Sequence, residues 1–119
     1  MRFRIAYGRT KLLLTLVGMP ASAAYVDVTD DEVIVKMSWG FSATIPRSSI
    51  RGVRVLDTKV ISIGVHGWRG KWLVNGAADR LVALDIDPAA KARTMFIPIK
   101  LTRLTLSLEN REQFAAELT

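Results

Sequence analysis

Apolar and polar positions alternate with a period of two along most of this chain, the pattern of strands with one face buried and one face wet. Val33, Val35 and Met37 share one face of such a run, and Glu32, Lys36 and Ser38 share the other. Phe41, Ala43 and Ile45 continue the apolar face after Gly40, opposite Ser42 and Thr44. With Asp30-Asp31 as a polar turn pair, residues 24–29, 32–39 and 41–45 predict an antiparallel meander. Residues 1–11 alternate more weakly and predict a short edge strand. After a turn over 46–50, residues 51–56 place Val53 and Val55 inward and Arg54 outward. A strand over 60–65 leads into a glycine-rich loop. Further strands follow at 71–75, 80–87, 94–100 and 101–108, with Asn75-Gly76 as a turn. Asp87-Pro88 is expected to end one strand and open an alanine-rich loop to Arg93.

The chain closes on a helical pattern over 110–118. Asn110 stands at the N-cap and Gln113 at its capping-box partner position, while Phe114, Ala115 and Leu118 form a narrow apolar stripe. Strands at this spacing predict an all-β domain over residues 1–119, an antiparallel barrel or sandwich of about seven or more strands with one C-terminal α-helix.

Residues 12–24 break the alternation. Three readings compete: a buried apolar strand or short helix stopped at Gly18-Met19-Pro20, a cleaved export signal ending at Ala21-Ser22-Ala23, or a membrane anchor. The apolar run falls short of the ~18–20 residues a span needs, and the first reading is preferred because Tyr7 and Arg9 already look structural and the apolar run is brief. With it goes a cytoplasmic location; the second makes the protein an exported one.

Composition narrows the chemistry. The 119 residues hold no cysteine and a single histidine, His66. That excludes a disulfide framework, a catalytic thiol and the usual zinc ligand sets. No cofactor or metal is expected, and Asp85 and Asp87 read as solvent-facing polarity at a strand end. A Ser62–His66–Asp57 catalytic arrangement has no supporting motif, so a non-enzymatic protein is expected. The net charge of +6 favours an anionic partner. Basic residues lead at the N-terminus (Arg2, Arg4, Arg9, Lys11), with no acid nearby, and again between Arg47 and Lys71.

One stretch concentrates candidate contacts. Within nine residues lie Gly64, Gly67, Gly70, Trp68, Trp72 and His66. The glycines are expected to shape a loop through backbone angles or close approaches that a Cβ blocks. Trp68, Arg69, Lys71 and His66, with Arg47, Arg51 and Arg54, are the candidate partner or ligand contacts. Trp72, inside a predicted strand, is assigned to the core and Trp68 to the surface. Against this stands the plainer reading of a tight turn with solvated arginines.

Taken together, YVDVTDDEVIVKMSWGFSATIPRSSI, GVHGWRGKWLVNGAADRLVALDID and IKLTRLTLSLENREQFAAEL resemble the compact bacterial pleckstrin-homology-like (PH-like) domains, whose chain ends in a strand followed by a helix. The resemblance implies a fold more than an activity. Better-known relatives of that fold bind inositol lipids through a basic first hairpin. Here that turn is Asp30-Asp31, flanked by Asp27 and Glu32, which counts against such binding there. The expected function is a non-catalytic binding module for a protein or anionic ligand, or else peripheral attachment to an anionic membrane. Nucleic acid is disfavoured, and edge strands offer a route to homo-oligomers.

Overall fold

The period-two runs become strands of one sheet in a computed structural model that describes residues 1–9, 11–60 and 64–119. Among these residues the order along the chain is β1 (Arg2–Arg4), α1 (Lys11–Leu16), β2 (Ala24–Val28), β3 (Glu32–Met37), β4 (Phe41–Pro46), β5 (Ile50–Leu56), β6 (Gly64–Trp68), β7 (Lys71–Asn75), β8 (Leu81–Thr94), β9 (Ile97–Ser107) and α2 (Arg111–Leu118). The strands neighbour one another as β1-β2-β3-β4-β8-β9-β7-β6, and β5 pairs with β8. An all-β body with one C-terminal helix is therefore present. Val33, Val35, Met37, Phe41 and Ile45 from the meander are buried together with Leu104 and Leu106 from β9 and with Leu108 just after it. This alternation holds register firmly, because a one-residue slip would turn each apolar set to water.

Several sequence expectations are corrected. The pairing is not wholly antiparallel, since β7 lies parallel to β9 from Lys71↔Arg103 to Val74↔Leu106. The alanine-rich segment after Asp87-Pro88 is not a loop. β8 runs through it, with a cis peptide at Pro88 and a register shift between Asp85 and Ala90 that removes any need for a ladder donor there. Residues 94–108 are one strand plus a turn, and that turn falls at Met95-Phe96. The Asn75-Gly76 turn moves on by a residue or two, because Gly76 still makes a parallel bridge to Tyr7. Val55 faces solvent. The strand expected over 60–65 lies partly outside the described residues.

α2 forms where the sequence places it, and its Phe114 is fully buried edge-on against Phe3, ring centroids 5.3 Å apart. Its start differs in detail. The Asn110 side chain caps no backbone N–H and instead donates from Nδ2 to Gln113 Oε1 at 2.5 Å. Arg111 fastens the helix by donating to the carbonyls of Leu56 and Leu81. At the N-terminus Arg2 does meet an acid. It grips Asp27 across β1–β2 at 2.7 and 2.9 Å, which lowers the Asp27 pKa.

α1 is the largest departure. It is a short helix ended by Gly18 at φ +86°, as one reading allowed, but only Leu14 of its leucines is buried. No helix among the described residues is long and apolar enough to cross a membrane.

Candidate functional site

The glycine–tryptophan segment is a hairpin rather than a loop. β6 and β7 pair from Gly64↔Asn75 to Trp68↔Lys71, and the connection is two residues long. Arg69 (φ +51°) and Gly70 (φ +86°) both take left-handed backbone angles, as a tight hairpin with matched twist requires. Gly67 is glycine for a different reason: a Cβ there would stand 2.1 Å from the Trp72 ring. Gly64, at φ +115°, opens the strand.

Trp68 is 74% exposed, and the Arg69 guanidinium lies 5.7 Å from its ring centroid. Trp72 is half-buried against the core. His66, Trp68, Lys71 and Trp72 line a shallow depression of about 430 Å³ that Arg103 closes on one side. Arg54 reaches this region only through Asp85, which accepts Arg103 at 3.0 Å and Arg54 at 3.4 Å. The Arg103 hydrogen bond first, and Arg54 after it, hold the Asp85 carboxyl below its ordinary range.

The other expected contacts are not gathered here. Arg47 donates to the carbonyls of Thr29 and Glu117, tying the β2–β3 turn to the end of α2. Arg51 donates to the Asp87 carbonyl. Ser62 lies outside the described residues, so its arrangement with His66 and Asp57 does too. Among the described residues, no three metal-ligating side chains gather.

A larger concavity of about 1300 Å³ lies on the outer face of the sheet. It exists because β4 and β8 pair only over Phe41↔Thr94, Ser42↔Arg93 and Ala43↔Ala92. Beyond that point β8 bulges and turns to β5, and the two strands part. The pairing registers set its chemistry. Tyr25, Lys36, Ser42, Arg93 and Pro98 form one row across five strands, each directly opposite the next. Lys91 and Lys100 face each other across β8–β9, two residues further along. Directly opposed like charges cost stability, on the order of a few tenths of a kcal/mol or more. Lys36, Lys91, Arg93 and Lys100 all line the concavity, and among the described residues none of the four forms an ion pair. Among the described residues, Glu32 is the one acid on its wall, at the far end of β3 from Lys36.

Exposed apolar side chains gather at one end of the same sheet. α1 presents Leu12, Leu13 and Leu16 to solvent, and Val17 just after it is exposed too. The β3–β4 turn adds Trp39, and the β8–β9 turn adds Met95, Phe96 and Ile97. Hydrogen bonds hold the three pieces together. Trp39 Nε1 donates to the Val17 carbonyl at 3.0 Å and Ser38 Oγ to that of Gly18 at 2.8 Å. The Met95 amide donates to the Gly40 carbonyl at 3.1 Å. Tyr7 donates its hydroxyl to the Met19 carbonyl at 2.7 Å, and burial raises its pKa to about 12.

Neither the groove nor this end was singled out from sequence. The groove depends on which strands lie side by side. The apolar end had a readable trace in Met95-Phe96-Ile97, an apolar run that folds back without a turn-forming residue. No protein-family model, curated protein or solved structure matches the chain.

Proposed function

We propose that this chain is a non-catalytic binding module of PH-like architecture that takes an anionic, phosphate-bearing ligand in the groove lined by Lys36, Lys91, Arg93 and Lys100. The observation that carries this reading is the direct opposition of Lys91 and Lys100 across two paired strands, beside two further cations that have no ion pair among the described residues. A bound anion relieves that repulsion and gains charge-assisted hydrogen bonds. Ser42 and Tyr25 supply neutral donors in the same row. Ile34, Ala43 and Ile99 give the wall apolar area. The PH-like barrel is the finer architectural reading. Isolated bridges Ile5↔Leu108 and Tyr7↔Gly76, which bring the start of the chain onto the ends of β9 and β7, support it, as does the terminal helix.

Removing one cation should separate binding from stability by sign. Lys91→Gln is expected to weaken the affinity for inorganic pyrophosphate at low salt by about threefold to tenfold. Without ligand, the same change should stabilise the fold by about 0.2–1 kcal/mol, because Lys100 no longer faces a like charge. Calorimetric titration and thermal melts of wild type and variant read both effects. Unchanged affinity, or a destabilised variant, contradicts the reading.

A second reading has its own observation. Trp68 is exposed beside Arg69, and tryptophan and arginine are residue types that anchor protein contacts. This reading makes the β6–β7 hairpin a protein-docking edge.

A further inference from the structure

The apolar end is a different surface from the groove, and it shows three properties that do not follow from folding. The first is area without a partner. Leu16 is 75% exposed and Phe96 74%, and Leu12 and Leu13 are exposed on the same helix as Leu16. Apolar exposure on this scale at one end of a sheet marks a contact surface.

The second is backbone strain kept by apolar residues. Met95 (φ +47°) and Phe96 (φ +71°) occupy the left-handed positions of a two-residue hairpin turn, where Asn-Gly is the unstrained choice. Two large apolar side chains held at positive φ, both pointing off the molecule, cost stability and add nothing to the core.

The third is charge. The end is built from residues 9, 11–24, 36–43 and 91–100, and these stretches contain no aspartate or glutamate. Their charged residues are Arg9, Lys11, Lys36, Lys91, Arg93 and Lys100. The acids lie away from it: Asp27, Asp30, Asp31 and Glu32 cluster at the other end of β2 and β3, where the Glu117 carbonyl also meets Arg47. An acid-free apolar tip ringed by cations complements an anionic bilayer, where the leucines and Phe96 enter the headgroup–acyl boundary and the cations stay at phosphate level. Trp39, 41% exposed between the two apolar elements, is a residue type that settles at this interface. Because Trp39, Ser38 and Gly40 fix α1 and the β8–β9 turn by hydrogen bonds, the tip is formed before it meets a membrane.

We infer that α1 and the Met95–Ile97 hairpin tip together form a membrane-docking surface for anionic bilayers. The two proposals share the cations Lys36, Lys91, Arg93 and Lys100, and the exposed apolar side chains, which the groove does not use, let the two fail separately. The test is sedimentation of the full chain with phosphatidylcholine vesicles, with and without phosphatidylglycerol. Wild type is expected to bind the phosphatidylglycerol vesicles at least tenfold more tightly than pure phosphatidylcholine. Leu12→Ser combined with Leu16→Ser removes exposed side chains only. Phe96→Asn places at positive φ a residue that tolerates it. Each variant should lower vesicle affinity about tenfold or more while the melting temperature does not fall and the pyrophosphate titration stays as in wild type. Absence of wild-type vesicle binding overturns the proposal, as does binding that these variants leave intact. Loss of vesicle binding in Lys91→Gln alone, with the apolar variants unaffected, overturns it in favour of the groove. Concentration-dependent dimers that the apolar variants abolish, with no vesicle binding, overturn it in favour of a second copy.

Discussion

Phe114→Ala is expected to destabilise the protein by about 3–5 kcal/mol, the cost of emptying a fully enclosed aromatic site. Phe114 has no exposed surface, and its ring meets Phe3 edge-on at an interplanar angle of 80°. α2 has eight residues, too few for a helix to persist in water without packing. Its other attachments include the Arg111 bonds to Leu56 and Leu81, the Arg47 bond to the Glu117 carbonyl and the packing of Leu118 on the core. Loss of the ring therefore weakens the closure between α2 and β1 as well as opening a cavity. In a domain of this size the melting temperature should fall by about 12–20 °C. Phe114→Leu, which keeps most of the burial, should cost about 1–2 kcal/mol. Urea titrations of both variants measure this, and a loss under about 1 kcal/mol for alanine would mean that α2 is not docked.

Ser107→Ala should cost about 2–4 kcal/mol although it removes a single oxygen. Ser107 is fully buried near the end of β9. Its hydroxyl accepts from the amides of Gly76 at 3.0 Å and Ala77 at 3.4 Å, and donates to the Ala6 carbonyl at 3.0 Å. Two backbone segments distant in sequence, at Ala6 and at Gly76-Ala77, thus meet at one side chain. Alanine leaves those buried groups without that partner, and water has no route to replace it. Hydrogen exchange should quicken first at Gly76 and Ala77. Equal protection in variant and wild type would show that the hydroxyl is dispensable.

The meander was readable because β2, β3 and β4 are each buried on one face only, so alternation in sequence became alternation in space. Leu104, Leu106 and Leu108 were readable for the same reason. Trp68 at the surface followed from local chemistry, a tryptophan between glycine and arginine, whereas the particular neighbour that keeps Gly67 a glycine, Trp72, came only with the hairpin pairing. What escaped depends on distant pairing. Nothing near Lys71 announces that it will lie parallel to Arg103, and nothing near Lys91 announces Lys100 across from it. α1 escaped because three consecutive leucines normally signal burial, whereas here Leu14 alone turns inward. The Met95-Phe96 turn escaped because it lacks the residues that make such turns easy.

Amide chemical-shift mapping of the full chain with inorganic pyrophosphate at low salt tests the anion-binding groove most directly. Shift changes are expected to centre on Lys36, Ser42, Lys91, Arg93 and Lys100 and to fade as salt rises. Changes centred instead on the Trp68 hairpin, or a spectrum that pyrophosphate leaves unaltered, would contradict it.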